Sequence, residues 1–150
     1  MSEHPPIHTL VPHSGSMLLL DRLIAYDEHS LTAAVTVHDT SPFVCDGVVG
    51  AWFGLEYMAQ AVAAFAGRLA RADGLAPKLG FLLGTRRFVC SAPHIRVGTT
   101  VVVTVVREWQ DDSGLGSFRG VITSDMFTAE ATVTVFQPPN IEQFLLESRA

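Results

Sequence analysis

Glu56 is a single carboxylate inside a long apolar stretch, Gly50-Ala51-Trp52-Phe53-Gly54-Leu55-Glu56-Tyr57-Met58-Ala59-Gln60-Ala61-Val62-Ala63-Ala64-Phe65. Taking an ionised carboxylate out of water without a partner is so costly that the group shifts its pKa instead. A Glu in this setting is therefore either paired, with an Arg or with Gln60, or kept for chemistry. A carboxyl group held in apolar surroundings can be kept to bind or release a proton, which is what a general acid or base does. The histidines offer less. His4 and His8 stand four residues apart, as two metal ligands on a helix would, but Pro5 and Pro6 lie between them and no third ligand accompanies them, so no metal is expected. No cofactor motif is present, and none is expected. Cys45 and Cys90 are isolated thiols without metal spacing and read as inert core residues of a reducing compartment.

The surrounding composition is that of one folded domain spanning residues 1–150, with 48% hydrophobic and 17% charged residues. Apolar runs are broken by Glu, Arg or Gly well before the roughly 20 residues of a membrane span, and Met1 to Pro12 lacks the basic start and apolar block of a signal peptide. A cytoplasmic protein is expected, without membrane contact. The net charge of -5 and the lack of a Lys/Arg stripe argue against nucleic acid.

The elements that must hold Glu56 follow from periodicity and breakers. Met17 to Tyr26 reads as a strand or a short helix leading into one, and Leu31 to Val37 as a Thr/Val-rich strand. Thr40 to Gly47 is a loop. A helix is expected from Val49 to Ala72, stopped by Asp73-Gly74 and thinned by alanines. On it Glu56 shares a face with Trp52, Phe53, Ala59, Gln60 and Ala63. Four strands follow, Leu79 to Cys90, Thr99 to Gln110, Gly116 to Ser124 and Met126 to Gln137, with turns at Pro93 to Gly98, Asp111 to Gly114 and Ser124-Asp125. Such short turns imply antiparallel neighbours. The order gives an α+β domain with one long helix packed on an antiparallel sheet. Thr100 to Val106 is apolar on both faces, and a second subunit is the economical cover for its outer one. Ile141 to Arg149 forms a short terminal helix or frays.

Leu10-Val11-Pro12-His13, Leu20-Asp21-Arg22, Ser41-Pro42-Phe43, Glu56-Tyr57-Met58-Ala59-Gln60-Ala61 and Gly80-Phe81-Leu82-Leu83-Gly84 together resemble the 3-hydroxyacyl-acyl-carrier-protein dehydratases, and more closely their aryl polyene branch. The resemblance covers Leu10 to about Gln137. It implies the hotdog fold, a sheet wrapped around a central helix, in a dimer with active sites in tunnels at the subunit interface. The acyl carrier protein would be a partner, and the dimer a homodimer or a heterodimer with a related hotdog subunit. One departure stands out: the fatty acid enzymes carry a catalytic His in a Gly-His-Phe-Pro segment before the helix, and here the stretch from Val44 to Leu55 contains no His.

Dehydration of a 3-hydroxyacyl thioester needs a base for the proton beside the carbonyl, an acid for the departing hydroxyl and donors for the thioester oxygen. Glu56 suits the acid. The base is open between Asp46, near the vacated His position, and His13, which must be brought in by folding; Asp before Gly is also a turn or cap pattern, and a loop His also bonds backbone. N–H groups around Gly50 and Ala51, at the positive helix end, are candidate carbonyl donors. Trp52, Gln60 and Phe81 are candidate substrate contacts, the aromatics being core residues first. Arg86, Arg87 and Arg96 form a basic group that either receives the carrier protein or is simply solvated. Two other functions fit: a hotdog thioesterase whose helix carboxylate activates water, and a non-catalytic subunit that completes an active dehydratase.

Overall fold

The computed structural model describes residues 4–75, 80–138 and 146–147. Six strands form one antiparallel sheet: β1 (Arg22–Tyr26), β2 (Ser30–Thr36), β4 (Phe81–Cys90), β6 (Thr100–Gln110), β7 (Leu115–Thr123) and β8 (Thr128–Phe136), in the order β1-β2-β6-β7-β8-β4. The helix α1 (Gly54–Ala72) packs on β2, β6, β7 and β8. This is the α+β arrangement that both the element order and the resemblance imply.

Alternation explains which face meets the helix. Val101, Val103 and Val105 of β6 are fully buried, as are Ala131 and Val133 of β8, while their immediate neighbours point away. The outer face of β6 differs from expectation. It is mixed rather than wholly apolar: Val102 is half-buried and Val106 exposed, while Thr104 pairs its hydroxyl with Thr32 at 3.0 Å and Thr100 with Thr36 at 2.8 Å. These cross-strand hydroxyl pairs are compatible with water. Exposed apolar side chains also lie at the sheet edge, with Leu83 57% and Val89 65% exposed on β4.

Two further expectations are corrected. The helix begins at Gly54 rather than Val49, since β-branched Val48 and Val49 enter a short strand, β3 (Val48–Gly50), and a single 3-10 turn (Ala51–Phe53) intervenes. The segment expected to be a turn, Pro93 to Gly98, contains β5 (His94–Arg96), the antiparallel partner of β3. That small ladder carries the chain away from β4, so β4 pairs with β8 and not with the next long strand. The helix end is as expected: Leu75 N–H donates to the Ala70 carbonyl at 2.8 Å and Gly74 N–H to that of Arg71 at 3.0 Å, closing the last turn around a left-handed Gly74.

Cys45 is exposed and Cys90 half-buried, so neither is the core residue expected. Among the described residues, no helix is long and apolar enough to cross a membrane. Of the segment Ile141 to Arg149, all but Leu146 and Glu147 lie outside the described residues.

Candidate active site

A cavity of about 340 Å³ runs along one face of α1. Its helix side is lined by Glu56, Ala59, Ala63, Ala66 and Ala70, which follow one another at intervals of three and four residues and so form a stripe. At 1.5 Å per residue the stripe is about 21 Å long. Leu82 of β4, Phe118 of β7 and Val135 of β8 supply the opposite wall. The result is an apolar channel with a carboxylate at the N-terminal end of its helix.

Glu56 is half-buried there, and among the described residues no hydrogen bond or ion pair ties up its carboxylate. The pairing with Gln60 considered from the sequence does not form. Gln60 is fully buried, its Oε1 accepting from Leu19 N–H at 2.9 Å and its Nε2 donating to the Met17 carbonyl at 2.6 Å. It does not line the cavity and serves the main chain rather than a substrate.

Folding brings His13 to the cavity that Glu56 lines. Both side chains line the same cavity, although 43 positions separate them (56 − 13). The loop bearing His13 is anchored by Leu10 and Val11, which are buried in the core. Its approach to the helix is close enough that the Leu10 carbonyl occupies the place a Cβ would take at Gly67. The Nδ1 atom of His13 is buried and has no hydrogen-bond partner among the described residues.

The remaining sequence candidates lie elsewhere. Asp46 is exposed and, with Gly47, occupies the centre of a tight turn closed by the Cys45–Val48 bridge; the two φ values of 54° and 78° are those of an Asp-Gly hairpin turn. It is outside the cavity. The Ala51 N–H donates to the Pro93 carbonyl at 2.8 Å and is thereby taken. Gly50 lies in β3 against His94, and its missing Cβ makes room for the Trp52 indole. Trp52 itself is 59% exposed, held by edge-on contacts with Phe43 and Phe53 and not part of the cavity. The main chain of Phe81 opens β4 opposite Phe136, and its side chain lies outside the described residues.

Two features escaped sequence reasoning. The sequence puts Ala59 and Ala63 on the face of Glu56, but not the continuation of that stripe through Ala66 and Ala70 as the floor of a cavity. Phe43, 70% exposed at φ 64°, meets Trp52 edge-on and Phe53 at a tilt from a left-handed backbone position that no sequence pattern announced. The neighbouring phenol of Tyr57 is buried, and burial, aided by the Asp21 carboxylate, pushes its pKa up to about 12. It therefore stays protonated at neutral pH and is no base.

Residues 5–146 match the ApeP-like family, described as ApeP dehydratase. Among solved structures, a chain of the dehydratase heterocomplex ApeI:P from Xenorhabdus doucetiae is 29% identical and superposes with a TM-score of 0.87, covering 96% of this chain and 98% of that one. Cj0977, a sigma28-regulated virulence protein from Campylobacter jejuni, matches at 14% identity and a TM-score of 0.66, over 89% of each chain. A hypothetical thioesterase with coenzyme A from Streptococcus pneumoniae matches at 12% and 0.59, over 77% of this chain and 86% of its own. The last two likenesses are of fold alone. No curated protein matches the chain. The architecture and these neighbours make the domain a hotdog fold.

Proposed function

The chain belongs to the ApeP-like dehydratase family, and we propose that it removes water from a 3-hydroxyacyl thioester carried on acyl carrier protein, using Glu56 and His13. The observation that carries this reading is the convergence on one largely apolar cavity of an imidazole and a carboxylate that is unpaired among the described residues. His13 takes the proton from the carbon beside the thioester carbonyl. The electrons left behind form the double bond as the 3-hydroxyl departs, and Glu56 delivers a proton to it, so that water leaves. Proton return from His13 to Glu56 through solvent resets the pair. The alanine floor receives the acyl chain, whose apolar surface gains about 0.8 kcal/mol per buried CH₂.

A second hotdog subunit completes the working assembly in this reading. The related ApeI:P protein is a dehydratase heterocomplex, and β4 here is an edge strand with exposed Leu83 and Val89. Unpaired edges of this kind invite another chain. Because Leu82 of the same strand lines the cavity, a subunit docked on β4 would also enclose the channel. Arg86 and Arg87 on β4 and Arg96 on β5 are exposed cations available to an acidic carrier protein in the cytoplasm.

The test is mass-spectrometric loss of water from a 3-hydroxyacyl carrier protein, by the chain alone and mixed with a related hotdog subunit. Activity in either, reduced about 100-fold or more by Glu56→Gln, supports the proposal. Release of free thiol without dehydration, or dehydration indifferent to Glu56→Gln, refutes it.

A further inference from the structure

We propose that Gln60 is a positioning residue for His13: from the buried side of α1 its amide grips the loop that holds the imidazole over the cavity. The inference rests on the reading of His13 as the base.

A buried primary amide is costly unless both its ends are satisfied. At 0% exposure, Gln60 finds both partners in one short loop, accepting from Leu19 N–H at 2.9 Å and donating to the Met17 carbonyl at 2.6 Å. Met17 closes the 3-10 turn Gly15–Met17, and Leu19 lies beyond it, so neither group is claimed by the sheet. A Leu or Met side chain could fill the same volume. What the amide adds is a two-point hold, which fixes the loop's rotation as well as its distance from the helix.

Seven residues further along α1, on the same face, Gly67 receives the Leu10 carbonyl where a Cβ would otherwise sit. The loop therefore touches the helix at two places about 10 Å apart along its axis, running opposite to the helix between them. Pro12 and His13 fall within this pinned stretch, and both line the cavity. The imidazole has no other fixture of this kind, since its Nδ1 is buried without a hydrogen-bond partner among the described residues. Its orientation is inherited from the loop, and the loop's from Gln60 and Gly67.

The experiment is a double-mutant cycle in whichever assembly dehydrates the carrier-bound substrate. Gln60→Met keeps length and bulk but loses both bonds. It should lower kcat about 100-fold with little change in KM, as a displaced catalytic group does, and lower it no further when His13 is already Ala. In the folded Gln60→Met protein the His13 ring ¹H–¹⁵N resonances should move. Should Gln60→Met not fold, Gly67→Ala pushes on the other anchor and is held to the same outcomes. Equal losses with and without His13 would show a merely structural amide and overturn the proposal. A wild-type assembly with no dehydratase activity fails the functional reading instead, and the resonances then decide alone: unmoved His13 signals in the folded variant overturn the grip.

Discussion

Glu56 and His13 line one cavity whose walls are largely apolar, a setting in which charges are screened less than on a wet surface. Glu56→Gln and His13→Ala should each reduce turnover by about 10² to 10⁴, measured as kcat for water loss. Neither should lower the thermal midpoint appreciably, because among the described residues neither side chain is tied by a structural bond. Loss of activity without loss of stability separates them from Gln60. The buried phenol of Tyr57 gives a different signature. Its folded pKa lies near 12 against an unfolded 10, so the neutral phenol stabilises the fold fully below pH 10. That contribution, on the order of 2 kcal/mol, falls away as pH rises from 10 to 12. Tyr57→Phe should flatten this part of a plot of melting temperature against pH. At this scale Glu56 was legible because a charge in an apolar run is an anomaly that demands a reason. His13 was legible only as one of two options, for nothing local tells that a loop 43 positions away (56 − 13) will cross the same helix. Asp46 and Ala51 show why such residues are ambiguous in a sequence: turn formation and backbone bonding to Pro93 use the same residue types as catalysis.

The helix presents its chemistry through what it lacks. With side chains no larger than a methyl at Ala59, Ala63, Ala66 and Ala70, α1 leaves the volume between itself and the sheet unfilled. Ala66→Leu should narrow that space beyond Glu56, so that turnover of short 3-hydroxyacyl chains survives while that of long ones is lost; a set of carrier-bound substrates of graded length reads this directly. Preference for long chains unchanged in the variant would place the acyl group elsewhere. Strands were legible from alternation, which records the face a residue occupies. The partner of β4 was not, because periodicity is silent on which strand lies alongside. The start of α1 was misplaced for a related reason: Val48 and Val49 satisfy either a helix or a strand, and only the distant His94–Arg96 segment settles the matter.

Across the whole molecule, the exposed edge and the exposed cations make separable claims. Leu83→Glu with Val89→Lys should abolish association with a second hotdog subunit, seen by sedimentation, while the isolated domain stays folded, since both residues are solvent-facing. Arg86→Glu with Arg87→Glu should raise KM for a carrier-borne substrate much more than for the same acyl group on coenzyme A, and the difference should shrink as salt is added. The sheet order has a further consequence in the cell. During synthesis β4 leaves the ribosome long before β8, and β8 is the strand that pairs with it. At ordinary elongation rates this leaves a strand with exposed Leu83 and Val89 waiting seconds for its neighbour, and a nascent chain halted before Thr128 would lack the strand that receives it. Premature stops ahead of β8 should therefore yield insoluble product rather than a shortened enzyme.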